Sequence, residues 1–82
     1  MIKRLGNWTY RQLTGFLWQH GFRFFEELGG SHQRWRKPGI DGEADRLLEI
    51  YFTRGTYPRG TMKTTIRKSG IPEKEWFEWA NS

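Results

Sequence analysis

Apolar residues recur along the chain with two different periods, and the changes of period mark the elements. Leu13, Phe16 and Leu17 fall on one face of a helix. Just upstream, Thr9 and Gln12 have the spacing of a capping box, in which the two side chains satisfy each other's backbone N–H groups. Trp8 and Leu13 sit where a hydrophobic staple would close the same helix start, and Gly21 supplies a left-handed stop. Gly15 weakens this helix by about 1 kcal/mol relative to Ala, so packing has to hold it. Residues 22–28 then read as a strand, Gly29-Gly30 as a turn or a close backbone approach, and residues 32–37 as a second strand ended by Pro38-Gly39. After an acidic, Gly-containing loop over 40–45, residues 47–53 predict a third strand with Leu48, Ile50 and Phe52 on one face. A connection containing Gly55 and Pro58 leads to a helix over residues 60–69, with Met62 and Ile66 one turn apart and Gly70 as its stop. Ile71 is placed to pack back on Ile66. Pro72 suits the first position of a short helix reaching residue 79, with acids at its positive end. The order is helix, three strands, helix, short helix. It predicts an α+β domain, an antiparallel meander covered on one face by helices.

Composition changes that picture in one respect, the identity of the core. Eighty-two residues make one small domain, burying roughly 60–65% of the surface its unfolded chain would expose. There is no cysteine, so no disulfide, thiolate chemistry or Cys-based zinc site is available. There is also no valine and only two alanines, while five Trp, six Phe and three Tyr are present. Each buried aromatic removes about 150–250 Å² from water, so a few rings can fill a core of this size. Core packing is accordingly the default for Trp35, Trp76 and Trp79, and base stacking the minority reading. Residues 1–8 carry no apolar run after their basic residues, unlike a signal peptide, and no stretch is long enough to span a membrane. The expectation is a soluble cytoplasmic protein with no membrane partner.

The formal net charge is +5, and it is unevenly spread. Positions 28–40 hold Arg34, Arg36 and Lys37 with no acid, and positions 50–72 hold Arg54, Arg59, Lys63, Arg67 and Lys68 with none. Two acid-free windows separated by acidic ones suggest a positive face, for which nucleic acid is the natural partner. Charge serving solubility alone is the plainer alternative.

Two histidines could carry chemistry. His20 falls at the end of the first helix, where an imidazolium interacts favourably with the helix terminus and needs no function. His32 follows Gly29-Gly30-Ser31 and opens a strand with Arg34 and Arg36 on its own parity. Two glycines leave room for a ligand backbone, and arginines neutralise phosphate. A histidine at a strand start is often structural, and spacing leaves both readings open. If it acts, RNA is the apt substrate. Its 2′-hydroxyl lies beside the phosphorus it can attack, and a group titrating near neutrality could move that proton. A single such group predicts a slow nuclease that does not cut DNA. The acids of 41–45 lack the alternation of a calcium loop, and no phosphate-binding Gly-rich loop or nucleophile elbow occurs. No metal or cofactor is proposed.

Leu13…Leu17…His20-Gly21-Phe22, then Gly30-Ser31-His32-x-x-Trp35, then Arg59-Gly60-Thr61-Met62…Ile66-Arg67-Lys68-Ser69-Gly70-Ile71 resembles the HicA family of toxins in order and spacing. The likeness runs from about Thr9 to Phe77. It implies a double-stranded-RNA-binding-domain-like fold and a metal-independent endoribonuclease that cleaves mRNA, neutralised by a HicB-like antitoxin. It also places the family's catalytic histidine on His32, and on the second helix the basic residues that meet phosphate. Many members carry Pro-x-His after the third strand, where this chain has Tyr51-Phe52-Thr53-Arg54. The combined expectation is His32 as general acid/base, Gly29, Gly30 and Ser31 as the turn at the site, and Arg34, Arg36, Lys37, Arg59, Lys63 and Arg67 on RNA. A non-catalytic RNA-binding module of the same fold, or a protein-interaction domain whose basic face meets an acidic partner, would use the same residues differently.

Overall fold

The computed structural model describes residues 6–82. The sequence reading of residues 1–5 therefore lies outside the described residues. Helix α1 spans Tyr10–Gln19, strands β1, β2 and β3 span Arg23–Gly29, His32–Lys37 and Arg46–Tyr51, and helices α2 and α3 span Arg59–Ser69 and Glu73–Ala80. The sheet is an antiparallel meander in the order β1-β2-β3. The α+β architecture and its element order follow the expectation; several boundaries move.

Local chemistry explains where the helices begin and end. Thr9 and Gln12 form the capping box in full, Gln12 N–H donating to Thr9 Oγ1 and Thr9 N–H to Gln12 Oε1 at 3.0 Å. α2 ends on Gly70 at φ 76°, a conformation that a side chain would strain. The Ile71 N–H is then taken by the buried Ser69 hydroxyl at 3.0 Å, which itself donates to the Ile66 carbonyl. Pro72 is the N-cap of α3 rather than its first residue, with Glu73 and Glu75 in the first turn.

One face of the sheet carries the core. Trp35 and Leu48 are cross-strand partners, as are Gln33 and Ile50, and Trp35, Leu48 and Ile50 are buried in the same cluster as Leu13, Phe16, Leu17, Met62, Ile66 and Trp76. All three helices therefore lie over one face, leaving the other open. Phe22 is fully buried, one residue before β1. Phe52 departs from the alternation: β3 stops at Tyr51, and the Phe52 ring is 44% exposed instead of continuing the inward row of Leu48 and Ile50. Among the described residues, no helix is long and apolar enough to cross a membrane.

The connection from β3 to α2 is tied down by Tyr57. Its N–H donates to the Trp8 carbonyl at 2.9 Å and its hydroxyl to the Tyr51 carbonyl at 2.6 Å. Burial, reinforced by Tyr10 and Tyr51, raises the phenol above the ordinary tyrosine range. In the unfolded chain Tyr57 ionises near pH 10, while in the fold it keeps its proton to higher pH. Its contribution is thus fully present below about pH 10 and is lost as pH rises above it. Urea unfolding of the parent is expected to weaken between pH 9.5 and 11, and less steeply in Tyr57→Phe. Identical pH slopes in the two proteins would remove Tyr57 as the cause.

Candidate active site on the open sheet face

β1 and β2 are joined at the pairing of Gly29 with His32, so Gly30 and Ser31 are the two turn residues. Gly30 has φ 57°, the sign that a two-residue hairpin of type II′ requires at its first position and that glycine accepts freely. A Cβ at Gly29 or Gly30 would meet nothing within 4 Å, so the approach to His32 from the turn is open. His32 heads the central strand, opposite Tyr51 on β3.

Because β-strand side chains alternate, His32, Arg34 and Arg36 all stand on the open face, away from Trp35. Each meets an acid there. His32 Nδ1 lies 3.1 Å from Glu49 Oε1, Arg34 is paired with Glu26, and Arg36 Nη1 lies 3.5 Å from Asp45 Oδ2. The Glu49 carboxylate accepts the Nδ1 proton and so leaves Nε2 as the atom free to exchange a proton with a ligand. The imidazole side chain is 55% exposed, and its ring sits 6.0 Å from that of Tyr51. This carboxylate–imidazole pair can orient a general acid/base without burying it.

Sequence reasoning did not single out Glu49. The signal was present: Glu49 has the parity opposite to Leu48 and Ile50, and the antiparallel register sets it across from Arg34, one side chain from His32. Nor did the acid-free window survive folding on this face. Glu26 on β1, Glu49 on β3 and Asp45 just ahead of β3 come to lie beside the three bases, so each of these bases already has an acidic neighbour.

The second window behaves differently. Arg59, Lys63 and Arg67 are exposed along α2 at intervals of four residues. Among the described residues neither they nor Arg54 has an acidic partner within ion-pair distance. They form the stripe able to meet phosphate without first breaking an ion pair. α2 lies in the helical layer, so the structure does not put this stripe on the face of His32. It brings only its start near: β3 ends opposite His32, and a short connection leads from there to Arg59. Lys37 stands on the covered side, its aliphatic chain against Gly21, and so separates from Arg34 and Arg36. The other histidine, His20, is the C-cap of α1: Nδ1 lies 3.0 Å from the Phe16 carbonyl, and the ring stacks on Phe16. It is fully occupied by structure.

No family model and no curated protein matches this chain significantly. The site must therefore be judged on its geometry. Trp35 and Trp76 are buried core residues, and Trp79 stacks on Trp8 while its Nε1–H donates to Gln19, so all three are engaged in packing.

Proposed function

We propose that the chain is a HicA-like endoribonuclease toxin that cleaves mRNA without a metal ion. The observation that carries the reading is the imidazole of His32, held by Glu49 at Nδ1 and open at Nε2 beside an uncrowded Gly29-Gly30-Ser31 turn. The α-β-β-β-α order with helices on one sheet face agrees with a double-stranded-RNA-binding-domain-like fold and supports the same reading. In this mechanism the 2′-oxygen attacks the adjacent phosphorus and the 5′-oxygen leaves. His32 Nε2 accepts the 2′-hydroxyl proton or returns one to the leaving oxygen. Arg34 and Arg36 stabilise charge on the phosphoryl oxygens once they exchange Glu26 and Asp45 for phosphate. Arg59, Lys63 and Arg67 hold the backbone of the strand leading away from the site. Neutralisation in a cytoplasmic setting would fall to a HicB-like antitoxin covering this end of the molecule.

The test is incubation of the pure chain with end-labelled single-stranded RNA in excess EDTA. Cleavage leaving 2′,3′-cyclic phosphate and 5′-hydroxyl ends is the expected result. Activity abolished by EDTA, or equal cutting of the all-DNA strand, would overturn the mechanism.

A second reading has its own support. The unpaired α2 stripe lies in a different layer from His32, so RNA can bind there without engaging the histidine. A non-catalytic RNA-binding module predicts salt-dependent binding, no product in the same assay and no growth arrest on expression.

A further inference from the structure

Four exposed aromatic rings other than the tyrosines deserve comparison: Trp18, Phe24, Phe25 and Phe52. Trp18 is capped by its neighbour, the Arg23 guanidinium lying 3.5 Å from the ring centre, and Arg36 lies over Phe25 at 5.0 Å. Phe24 packs edgewise on Trp35, three ladder positions away from His32. Phe52 has neither a cationic cap nor that remoteness.

Its backbone N–H donates to the Ser31 carbonyl at 2.8 Å, one step past the His32–Tyr51 pair. Its ring meets Tyr10 in a T-shaped contact, centroids 5.0 Å apart at 73°. Tyr10 is itself pinned, its hydroxyl donating to Gln33 Oε1 at 2.9 Å. An edge-to-face contact consumes at most one face of a ring, so at least one face of Phe52 remains for a ligand. Three exposed arginines belong to the segments that meet here: Arg11 follows Tyr10, Arg54 lies two residues beyond Phe52, and Arg59 opens α2. None of the three has an acidic partner among the described residues.

We infer that Phe52, supported by Tyr10 on the helix side of the sheet end that carries His32, is a stacking subsite for one unpaired nucleobase of single-stranded RNA. A half-exposed ring held by Tyr10, on a stretch of chain whose arginines have no acidic partner, matches what a splayed nucleotide offers, a flat π-face between two phosphates. The inference rests on the RNA reading above and adds a base contact at the sheet end where β3 meets the turn before His32. Stacking of this kind is sequence-tolerant, because every base has a π-face.

The experiment measures binding, not cleavage, so the two readings fail separately. The full chain, Phe52→Ala and Phe52→Trp are titrated with a non-cleavable single-stranded 2′-O-methyl RNA oligomer carrying one 2-aminopurine, and with an abasic oligomer of equal length. Removing the ring is expected to weaken the base-bearing oligomer at least about fivefold. Phe52→Trp restores the affinity, the abasic oligomer binds the parent and Phe52→Ala alike, and aminopurine fluorescence is quenched only when a ring is present. Equal weakening on the abasic oligomer, no weakening at all, or no oligomer binding by the parent would overturn the subsite. So would competition by polyglutamate that is equally sensitive to Phe52→Ala, which would mark a site for acidic polypeptide. A chain that shows base-dependent binding but cuts no RNA in EDTA would retain the subsite and lose the nuclease.

Discussion

Replacing His32 with alanine is expected to slow single-turnover RNA cleavage about 10²–10⁴-fold while leaving RNA affinity near its parent value. The separation follows from where the groups stand. His32 is more exposed than buried, and its neighbours are the Glu49 carboxylate and the tilted ring of Tyr51, so its loss opens no cavity in the core. On the proposed reading, backbone affinity falls to Arg59, Lys63 and Arg67, which belong to another layer. Affinity of the variant should therefore retain the parent's dependence on salt, since the number of phosphates neutralised is unchanged. Glu49→Gln provides the graded companion. A glutamine can still accept the Nδ1 proton but no longer balances the imidazolium. Exposed ion pairs are worth up to about 1 kcal/mol, so the loss should be roughly two- to fivefold in rate, with affinity unchanged. A His32→Ala protein that cuts within threefold of the parent would discard the histidine mechanism, whatever its affinity.

The unequal legibility of the two basic windows has a physical cause. Helical spacing is local: Arg59, Lys63 and Arg67 project from one face of α2 because of the backbone period alone, and their neighbours in sequence are their neighbours in space. Strand neighbours are not. Arg34 lies eight residues from Glu26 and fifteen from Glu49, yet the ladder sets it opposite both. A linear window cannot register those acids, although the predicted meander, read for cross-strand pairs, already implied them. The same contrast runs through the fold. The capping box at Thr9, the left-handed residue at Gly70 and the start of β2 at His32 are decided within a few residues and lie where the sequence puts them. The end of β3 is decided by the helical layer. Alternation carries Leu48, Ile50 and Phe52 inward only while helices stand above them, and at Phe52 the chain leaves the sheet toward Tyr57. Periodicity reports which way a side chain points, not whether anything is there to cover it.

The largest stability effect is expected at the other end of the chain, in Trp76→Ala. α3 buries one residue completely, Trp76, and that ring is stacked on Phe16 with centroids 3.9 Å apart. It also meets Trp8 edgewise at 5.6 Å, and Trp8 in turn stacks on Trp79 at 5.6 Å and meets Phe16 at 6.2 Å. In a chain with no valine, these four rings do the work that aliphatic layers do elsewhere, and no neighbouring side chain is spare to refill the space. Truncating a buried Trp to Ala typically costs about 3–5 kcal/mol. Eighty-two residues at roughly 0.05–0.15 kcal/mol each give a total of only about 4–12 kcal/mol, so the variant loses about a quarter of its stability at the least. Trp76→Phe should lose much less. It keeps a ring against Phe16 and removes the indole Nε1, which is buried without a hydrogen-bond partner among the described residues. That orphaned donor carries a desolvation cost of about 1–3 kcal/mol, offsetting part of the packing lost with the smaller ring. Urea titration followed by far-ultraviolet circular dichroism should place the midpoints in the order parent, Trp76→Phe, Trp76→Ala. A Trp76→Ala midpoint within 1 kcal/mol of the parent's equivalent stability would mean that α3 is an appendage, and that α1 is held by the sheet and α2 alone.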